Sequence, residues 1–351
     1  MQDQSITLRA AQPGDSASIV DLITDFDGQF STQFVIDAYT AIVSGTDEQT
    51  LAVVAESPDY DGLVGMGTVR LGTRSFNGQL LPFAGLDGLK VRPEFRGRGL
   101  GRRLAAWRIE KARQMLGDDC LIVTGFVPDN HASRAVAATW CRETIEPIRV
   151  LIMPAHGQPP QSLDGVTVRE IEPQEVQEFA TQQNAFYRDY NLYKPTSAAA
   201  IDANVNQVIA DQRIYRFFVA VDGAGKLLAG ARVWVRGPIK VEVVNQSPVP
   251  ATGNAPDEGF LPPLSTIREL QVDGFWHLQG HERTAVALWE ALPWRCAAYG
   301  TILIMARDPR DPLLKLLRPE TSQQPTFEIA HALYGPAMAE PQRLIYPMGR
   351  V

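Results

Sequence analysis

The chain has 351 residues, of which 45% are hydrophobic and 21% are charged. This length suggests two domains, and the apolar content is that of ordinary globular cores. The formal net charge of −7 argues against a protein that binds nucleic acid by bulk electrostatics, so no nucleic-acid partner is expected.

The cysteines Cys120, Cys141 and Cys296 are few and widely separated. Their odd number and spacing indicate neither a disulfide framework nor a zinc site, so we expect a reducing compartment and no metal. The N-terminus lacks the regions of a signal peptide, and no apolar run reaches the ~20 residues of a membrane helix. These features predict a cytoplasmic protein with no membrane partner.

The first predicted strand, Ser5-Ile6-Thr7-Leu8-Arg9, is followed by Pro13-Gly14-Asp15 and a helical pattern. The same order returns at Val166-Thr167-Val168-Arg169 and Pro173-Gln174-Glu175. Later strands match in the same order, which predicts a tandem duplication.

Another predicted strand ends at Val91 and contains one carboxylate, Asp87. Alternation along the strand places Asp87 on the face of Leu89 and Val91. A carboxylate in an apolar strand costs free energy unless it is paired or functional. The alternative is a turn or bulge aspartate flanked by glycines.

Three alternating glycines follow this strand, in Arg96-Gly97-Arg98-Gly99-Leu100-Gly101-Arg102, and an amphipathic helix follows them. The free amides and the dipole of a helix N-terminus attract anions. Glycines let an anion approach closely, and arginine forks match phosphate oxygens. The loop is therefore predicted to bind phosphate. It lacks the Gly-Lys-Ser/Thr of a Walker loop and the third glycine of a dinucleotide fingerprint.

Arg96, Gly99 and Gly101 fit the pattern Arg/Gln-x-x-Gly-x-Gly/Ala, and on this motif the chain resembles the GNAT N-acetyltransferases. The resemblance implies an α/β fold, with two GNAT-like domains in tandem. Each would be a mostly antiparallel sheet with a splayed parallel pair flanked by helices. We expect a domain with an intact loop at 1–153, a linker at 154–165 and a degenerate domain at 166–351.

The resemblance also implies acetyl-CoA as the cofactor, held by the strand end, the loop and an Asn-x-x-Ala/Ser pattern. The expected contacts are Leu89, Lys90, Val91, Arg96, Gly97, Arg98, Gly99, Leu100, Gly101, Arg102, Asn130 and Ser133. Asp87 lies where the family often has its general base.

The tyrosine that commonly protonates the departing thiolate is missing, because its place is taken by Ala137. With a short insertion, Cys141 would be the acid instead. Otherwise Cys141 is a small buried hydrophobe, and water or Tyr346 is the alternative donor.

The second half carries an altered copy of the loop, His277-Leu278-Gln279-Gly280-His281-Glu282. The predicted alignment places Leu270-Gln271-Val272 on Leu89-Lys90-Val91 and Glu282 on Gly101. A carboxylate there would repel a diphosphate, which indicates that this half has lost CoA binding. A zinc site at His277 and His281 is disfavoured because nearby ligands are missing.

The first half is also one strand short of the family pattern. Two final strands are predicted, around 327–333 and 342–348, and one of them is expected to pair into the first half's sheet.

The sequence thus predicts an N-acetyltransferase that transfers an acetyl group from acetyl-CoA to a small-molecule amine by direct attack. The N-terminal domain would be active and the C-terminal domain structural, in a monomer or homodimer. The alternative is an acyl-CoA-binding sensor or regulatory module without turnover.

Overall fold

A computed structural model of the chain describes residues 6–24, 30–44, 48–245, 265–317, 326–339 and 343–347. The N-terminal half contains β1 (Thr7–Ala10), α1 (Ser16–Thr24), β2 (Phe30–Phe34), α2 (Ala38–Ser44), β3 (Gln49–Ser57), β4 (Tyr60–Phe76), β5 (Gln79–Val91), α3 (Leu100–Leu116), β6 (Leu121–Phe126), α4 (His131–Ala137) and β7 (Glu143–Pro154).

The C-terminal half repeats this order with small additions. It contains β8 (Val166–Glu170), α5 (Val176–Phe186), α6 (Ala198–Val205), β9 (Val208–Ile209), β10 (Gln212–Arg213), β11 (Tyr215–Asp222), β12 (Leu227–Val235), β13 (Lys240–Val244), β14 (Thr266–Ile267), β15 (Glu269–His277), α7 (Glu282–Arg295), β16 (Ile302–Arg307), α8 (Pro312–Leu317) and β17 (Thr326–Tyr334).

Twelve strands form one continuous sheet in the order β1-β3-β4-β5-β6-β17-β7-β16-β15-β12-β11-β8. The pairs β5–β6 and β15–β16 are parallel, and the other neighbours in this sheet run antiparallel. The predicted mixed α/β fold, with one parallel pair in each half, is confirmed. The two sheets expected from the sequence are joined edge to edge into one.

The two halves exchange their last strands. β17 of the C-terminal half inserts beside β6, where Leu333 lies opposite Val123. β7 of the N-terminal half pairs with β16, where Ile152 lies opposite Ile304. The prediction that a late strand completes the first half's sheet is confirmed for 326–334, but the sequence did not reveal the reciprocal contribution of β7.

The other predicted late strand, 342–348, has its two ends outside the described residues. Within 343–347 the structure shows one isolated bridge, between Ile345 and Asn191.

Besides the exchanged strands, the two halves share a small sheet in which β2 pairs with β13.

A β-bulge lies in β5 just beyond its last pair with β6. Met66 lies opposite Lys90 and Thr68 opposite Asp87, so β5 holds one extra residue there. Gly88 takes the left-handed conformation, with a φ of 60°, that this insertion needs. Pairing between β5 and β6 ends at Leu86 and Thr124. The space between the unpaired strand ends beyond these residues is called here the cleft.

The bulge corrects the predicted orientation of Asp87. Leu89 and Val91 pack with Leu100 and Leu104 beneath α3, whereas Asp87 bonds Arg70 on the other face of the sheet. Simple alternation fails because the extra residue shifts every later side chain to the opposite face.

β15 carries the same bulge, with Gly230 opposite Trp276, Arg232 opposite Asp273 and a φ of 55° at Gly274. Asp273-Gly274 therefore corresponds to Asp87-Gly88. The predicted strand alignment is wrong by five residues, since Leu89 corresponds to Phe275 rather than Leu270. The apolar pattern misaligned β15 with β5 because the loop between β15 and α7 is shorter than the loop between β5 and α3.

Candidate active site

The segment 96–102, called here the glycine loop, joins β5 to α3. Gly97 and Gly99 have φ values of 75° and 83°, and a Cβ atom on either would meet no atom within 4 Å. Gly99 is the N-cap of α3, and no side chain caps the helix there. The first-turn amides therefore face open space that an anion can enter.

Gly101 differs from the other two glycines. A Cβ there would lie 3.2 Å from Val136 of α4, so this glycine allows α4 to approach the helix. Arg96, Arg98 and Arg102 are exposed. The Nε of Arg96 donates to the Val91 carbonyl at 3.1 Å, which ties the loop to the end of β5.

The predicted contacts Leu89, Lys90 and Val91 form the last part of β5, beyond its pairing with β6. They lie directly before the glycine loop, so one continuous surface runs from the cleft to the start of α3. Leu100 is buried under this surface and anchors the helix rather than facing the cleft.

Arg108 holds the bulge from beneath. Its Nη1 donates to the carbonyls of Thr68 at 3.1 Å and Asp87 at 3.0 Å, and its Nε donates to Leu104. Burial lowers the pKa of Arg108 to about 10, while Asp87 raises it. The guanidinium remains protonated at neutral pH and satisfies two carbonyls that the irregular strand pairing leaves free.

Replacing Arg108 by Met is expected to destabilise the protein by about 2–5 kcal/mol, because two buried carbonyls lose their donor. Chemical denaturation measures this change. Arg102→Met on the exposed face of the same helix is the control and should leave stability unchanged. Equal stability of the two variants would show that Arg108 does not hold the bulge.

Asp87 belongs to a buried ionic network. Its Oδ2 accepts from the Nε of Arg70 at 2.8 Å, and Arg70 also reaches Glu48 at 3.4 Å. Glu48 accepts from Arg74 at 2.9 Å, and Lys194 of the second half approaches it to 3.7 Å. Burial opposes the charge of Glu48, but Arg74 and Arg70 outweigh burial and lower the pKa of its carboxyl.

Asn130 and Ser133 lie at the start of α4, near the cleft. The Oδ1 of Asn130 accepts the backbone N–H of Ser133 at 3.0 Å, so Asn130 caps this short helix. In the structure this pair forms a helix cap, and the side chain of Asn130 is exposed. Their contact with the cofactor stays a prediction.

Cys141 is half-buried and packs against the cluster of Phe126, Ala137 and Ala332. Tyr346 lies in the aromatic core of the second half, where its hydroxyl accepts the Gly274 amide at 3.0 Å. The structure therefore places the alternative acid Tyr346 beside the second bulge and not beside α4.

The corresponding cleft of the second half is filled by the protein itself. The carbonyl of Phe275, the residue corresponding to Leu89, accepts from Arg307 at 2.6 Å and from Tyr187. The Gly280 amide donates to the carboxylate of Glu282 at 3.3 Å. Backbone hydrogen bonds lower the pKa of Glu282, so the carboxylate is charged.

His277 and His281 do not converge on a metal site. The Nδ1 of His277 lies 2.9 Å from the Leu278 carbonyl, and its ring packs against Phe186. Among the described residues, no group of three or more His, Cys, Asp or Glu side chains could hold a metal ion.

A histidine that the sequence reading missed lies beside the first cleft. His331 of β17 is 2% exposed and lies opposite Gly125 of β6. Burial lowers its pKa to about 4, although the nearby Asp87 raises it. The imidazole is therefore neutral at physiological pH.

Lowering the pH from 7 to 4 is expected to weaken the fold through His331. The pKa of His331 is 6.5 in the unfolded chain and about 4 in the folded one. Between these pH values the imidazole is protonated in the unfolded chain and neutral in the folded chain. The free energy of unfolding therefore keeps its full value above pH 6.5. It decreases by roughly 3 kcal/mol as the pH falls to 4.

Denaturation curves of the wild type and His331→Gln across this range measure the effect. The variant should show a shallower pH dependence between pH 4 and 6.5. The same slope in both proteins would contradict the assignment.

Comparison with known proteins concerns the family and the fold. Residues 18–141 match the Acetyltransferase (GNAT) family. No curated protein sequence matches the chain. Saccharomyces cerevisiae N-myristoyltransferase with bound myristoyl-CoA superposes with a TM-score of 0.60 at 10% identity, over 96% of this chain and 86% of that one.

Two further solved structures have similar folds. A GCN5-related N-acetyltransferase from Sphaerobacter thermophilus has a TM-score of 0.58 at 16% identity, over 97% of this chain and all of that one. A GCN5-related N-acetyltransferase from Kribbella flavida has a TM-score of 0.50 at 14% identity, over 94% of this chain and 72% of that one.

Residues 18–141 therefore carry a GNAT-family domain, which supports an acyltransferase enzyme with an acyl-CoA donor. The solved structures show that the fold is similar. This fold supports acyl transfer from coenzyme A to an amine. Within the part of the chain that the structure describes, no helix is long and apolar enough to cross a membrane.

Proposed function

We propose that the N-terminal half transfers an acetyl group from acetyl-CoA to the amine of a small molecule by direct attack. The C-terminal half supplies β17, covers one face of the site and binds no coenzyme. The working domain would comprise 1–153 with β17 added, and 154–165 would link it to 166–351.

The contrast between the two loops carries this proposal. In the first half, Gly97 and Gly99 leave space before the helix amides. In the second half, the equivalent amide of Gly280 already donates to Glu282, and Arg307 donates to the Phe275 carbonyl of the strand. A diphosphate would be attracted to the first position and repelled from the second.

The donor would lie along the surface from β5 to α3. Its diphosphate would meet the amides of 97–102 with Arg96, Arg98 and Arg102 around them. Its pantetheine arm would bond the backbone of Leu89, Lys90 and Val91, and the exposed amide of Asn130 lies across the cleft beside Ser133. The donor supplies an activated acetyl thioester.

The acceptor would reach the cleft from the face that bears Asp87, since α3 covers the opposite face. The ionic network of Glu48 and Asp87 lies on this face, and Lys194 brings the second half to its edge. An acceptor pocket formed by both halves accounts for a C-terminal half without a coenzyme site of its own.

Thiol release from acetyl-CoA tests the proposal, with spermidine, glucosamine, lysine and a glycine-terminated peptide as acceptors. We expect release with at least one amine and mass-spectrometric detection of its acetylated product. Tight acetyl-CoA binding without release across a broader metabolite extract would favour the sensor instead. This second function is favoured by the absence of the usual tyrosine acid, because Ala137 takes its place.

A further inference from the structure

The two halves carry an equivalent carboxylate at the bulge, Asp87 in β5 and Asp273 in β15. The residue opposite Asp87 on the neighbouring strand is Thr68, and the residue opposite Asp273 is Arg232. In both halves the neighbouring strand passes the bulge with one unpaired residue, so Thr68 and Arg232 hold the same place. The two halves therefore differ at the position that faces this carboxylate across the sheet.

In the second half, the carboxylate is closed by this neighbour. The Nε of Arg232 donates to Oδ1 of Asp273 at 2.6 Å, and its Nη2 donates to Oδ2 at 2.8 Å. Such a two-bond pair is one of the strong pairs that a carboxylate forms. The next residue is covered as well, because Gly274 is buried and its amide donates to the hydroxyl of Tyr346. Both oxygens of Asp273 are thus occupied.

In the first half, one oxygen of the carboxylate stays open. Oδ2 of Asp87 accepts from the Nε of Arg70 at 2.8 Å. Oδ1 accepts no hydrogen bond from the part of the chain that the structure describes. The next residue, Gly88, is exposed, and the side chain of Asp87 is 16% exposed. A ligand on this face of the sheet can therefore reach Oδ1.

Thr68 faces the same side of the sheet as the carboxylate of Asp87. Its two neighbours along β4 point toward α3, since a Cβ on Gly67 would lie 2.9 Å from Arg108 and Val69 packs in the cluster beneath this helix. Alternation along the strand turns Thr68 to the opposite face. Its side chain is too short to hold a carboxylate with two bonds, as Arg232 does.

The hydroxyl of Thr68 is buried and has no hydrogen-bond partner among the described residues. It lies against Gly88, where a Cβ would be 3.4 Å from Oγ1. A buried polar atom without a partner costs free energy, so stability alone does not account for a threonine here. A short side chain at this position does account for the open carboxylate.

Arg70 fixes the direction of the carboxylate. Its Nε binds Oδ2 of Asp87, and its Nη1 reaches Oε2 of Glu48 at 3.4 Å. Glu48 is buried and is itself bound by Arg74 at 2.9 Å. A planar guanidinium can bridge two carboxylates in a defined geometry, whereas a lysine ammonium is a single charge on a flexible stem.

We propose that Thr68 keeps the Oδ1 oxygen of Asp87 open for the nitrogen of the acceptor amine, and that Arg70 positions the carboxylate by holding Oδ2. The amine N–H donates to Oδ1, a contact that Arg232 prevents in the second half. Arg70 is a positioning residue, because it acts through Asp87. This inference rests on the function proposed above, and it identifies the group that binds the acceptor.

The test places the residue of the second half in the first, as Thr68→Arg, and measures acetylation of the best amine of the panel. The introduced side chain should bind both oxygens of Asp87 and lower kcat/KM for the amine roughly 100-fold. The dissociation constant of coenzyme A should stay within about twofold, because the glycine loop is unchanged. The matched control is Thr73→Arg, an exposed position on the same strand, which should acetylate as wild type does.

A wild-type rate in Thr68→Arg, or an equal loss in Thr73→Arg, would overturn the proposal. A crystal structure of Thr68→Arg gives a readout without activity, and it should show the introduced guanidinium on both oxygens of Asp87. An Oδ1 that remains free there would also overturn it. If the wild type acetylates no amine, it is the proposed function that fails.

Arg70→Gln tests the positioning role and does not depend on the folding of a Thr68 variant. It should lower kcat at least about tenfold and leave the KM for acetyl-CoA within about twofold, because only the carboxylate loses its orientation. Arg70→Lys should fall between this variant and the wild type. An unchanged kcat in Arg70→Gln, or a loss confined to coenzyme binding, would contradict the role of Arg70.

Discussion

Residues 1–165 expressed alone are expected to remain unfolded. Without β17, the strands β6 and β7 lose the partner that lies between them, and their unpaired edges and apolar faces become exposed. Leu333 and Ala332 of β17 are fully buried, so their loss also removes core packing. Circular dichroism and a denaturant titration should show no cooperative transition.

Adding the fragment 166–351 by co-expression should restore a folded, cooperative complex. The matched control is the full chain with a protease site between Gly157 and Gln158, which are exposed and lie beyond β7. After cleavage the halves should stay together, because β7 and β17 hold them. A cooperatively melting 1–165 fragment with acetyl-transfer activity would contradict the exchanged-strand account.

Reversing two charges of the glycine loop, as Arg96→Glu with Arg102→Glu, is expected to weaken acetyl-CoA binding at least 100-fold, or about 3 kcal/mol. Both side chains are exposed, so the fold should persist. The loss follows from replacing attraction to a diphosphate by repulsion at the mouth of an anion site. Calorimetric titration measures the affinity.

Arg283→Glu is the matched control, because Arg283 is an exposed arginine in the first turn of α7. It makes the same kind of charge change in the second half and should leave the affinity unchanged. If the Arg283 variant lost binding and the loop variant kept it, the coenzyme site would belong to the other half.

The glycine loop could be predicted from sequence because all of its elements are local. A strand, three glycines and a helix start occur within one short segment, and Gly97 and Gly99 have the positive φ that the spacing indicated. The repeated order of strands in the two halves was visible in the sequence for the same reason, because each match lies within a short segment.

The register of β5 beyond the bulge was not predicted. Alternation assumes that each residue points to the face opposite its neighbour, and the extra residue at Gly88 breaks this pattern. His331 was missed because strand exchange brings it to Gly125 from a distant part of the chain. Arg108 resembled a polar residue on an amphipathic helix. Only the packing shows that it is buried against the irregular strand.

The most direct test of the active-site assignment is a crystal structure of the full chain with coenzyme A. We expect one molecule per chain, with its diphosphate on the amides of Gly97–Arg102 and its pantetheine arm along Lys90 and Val91. A diphosphate bound at Gly280–Glu282, or coenzyme in both halves, would contradict the account.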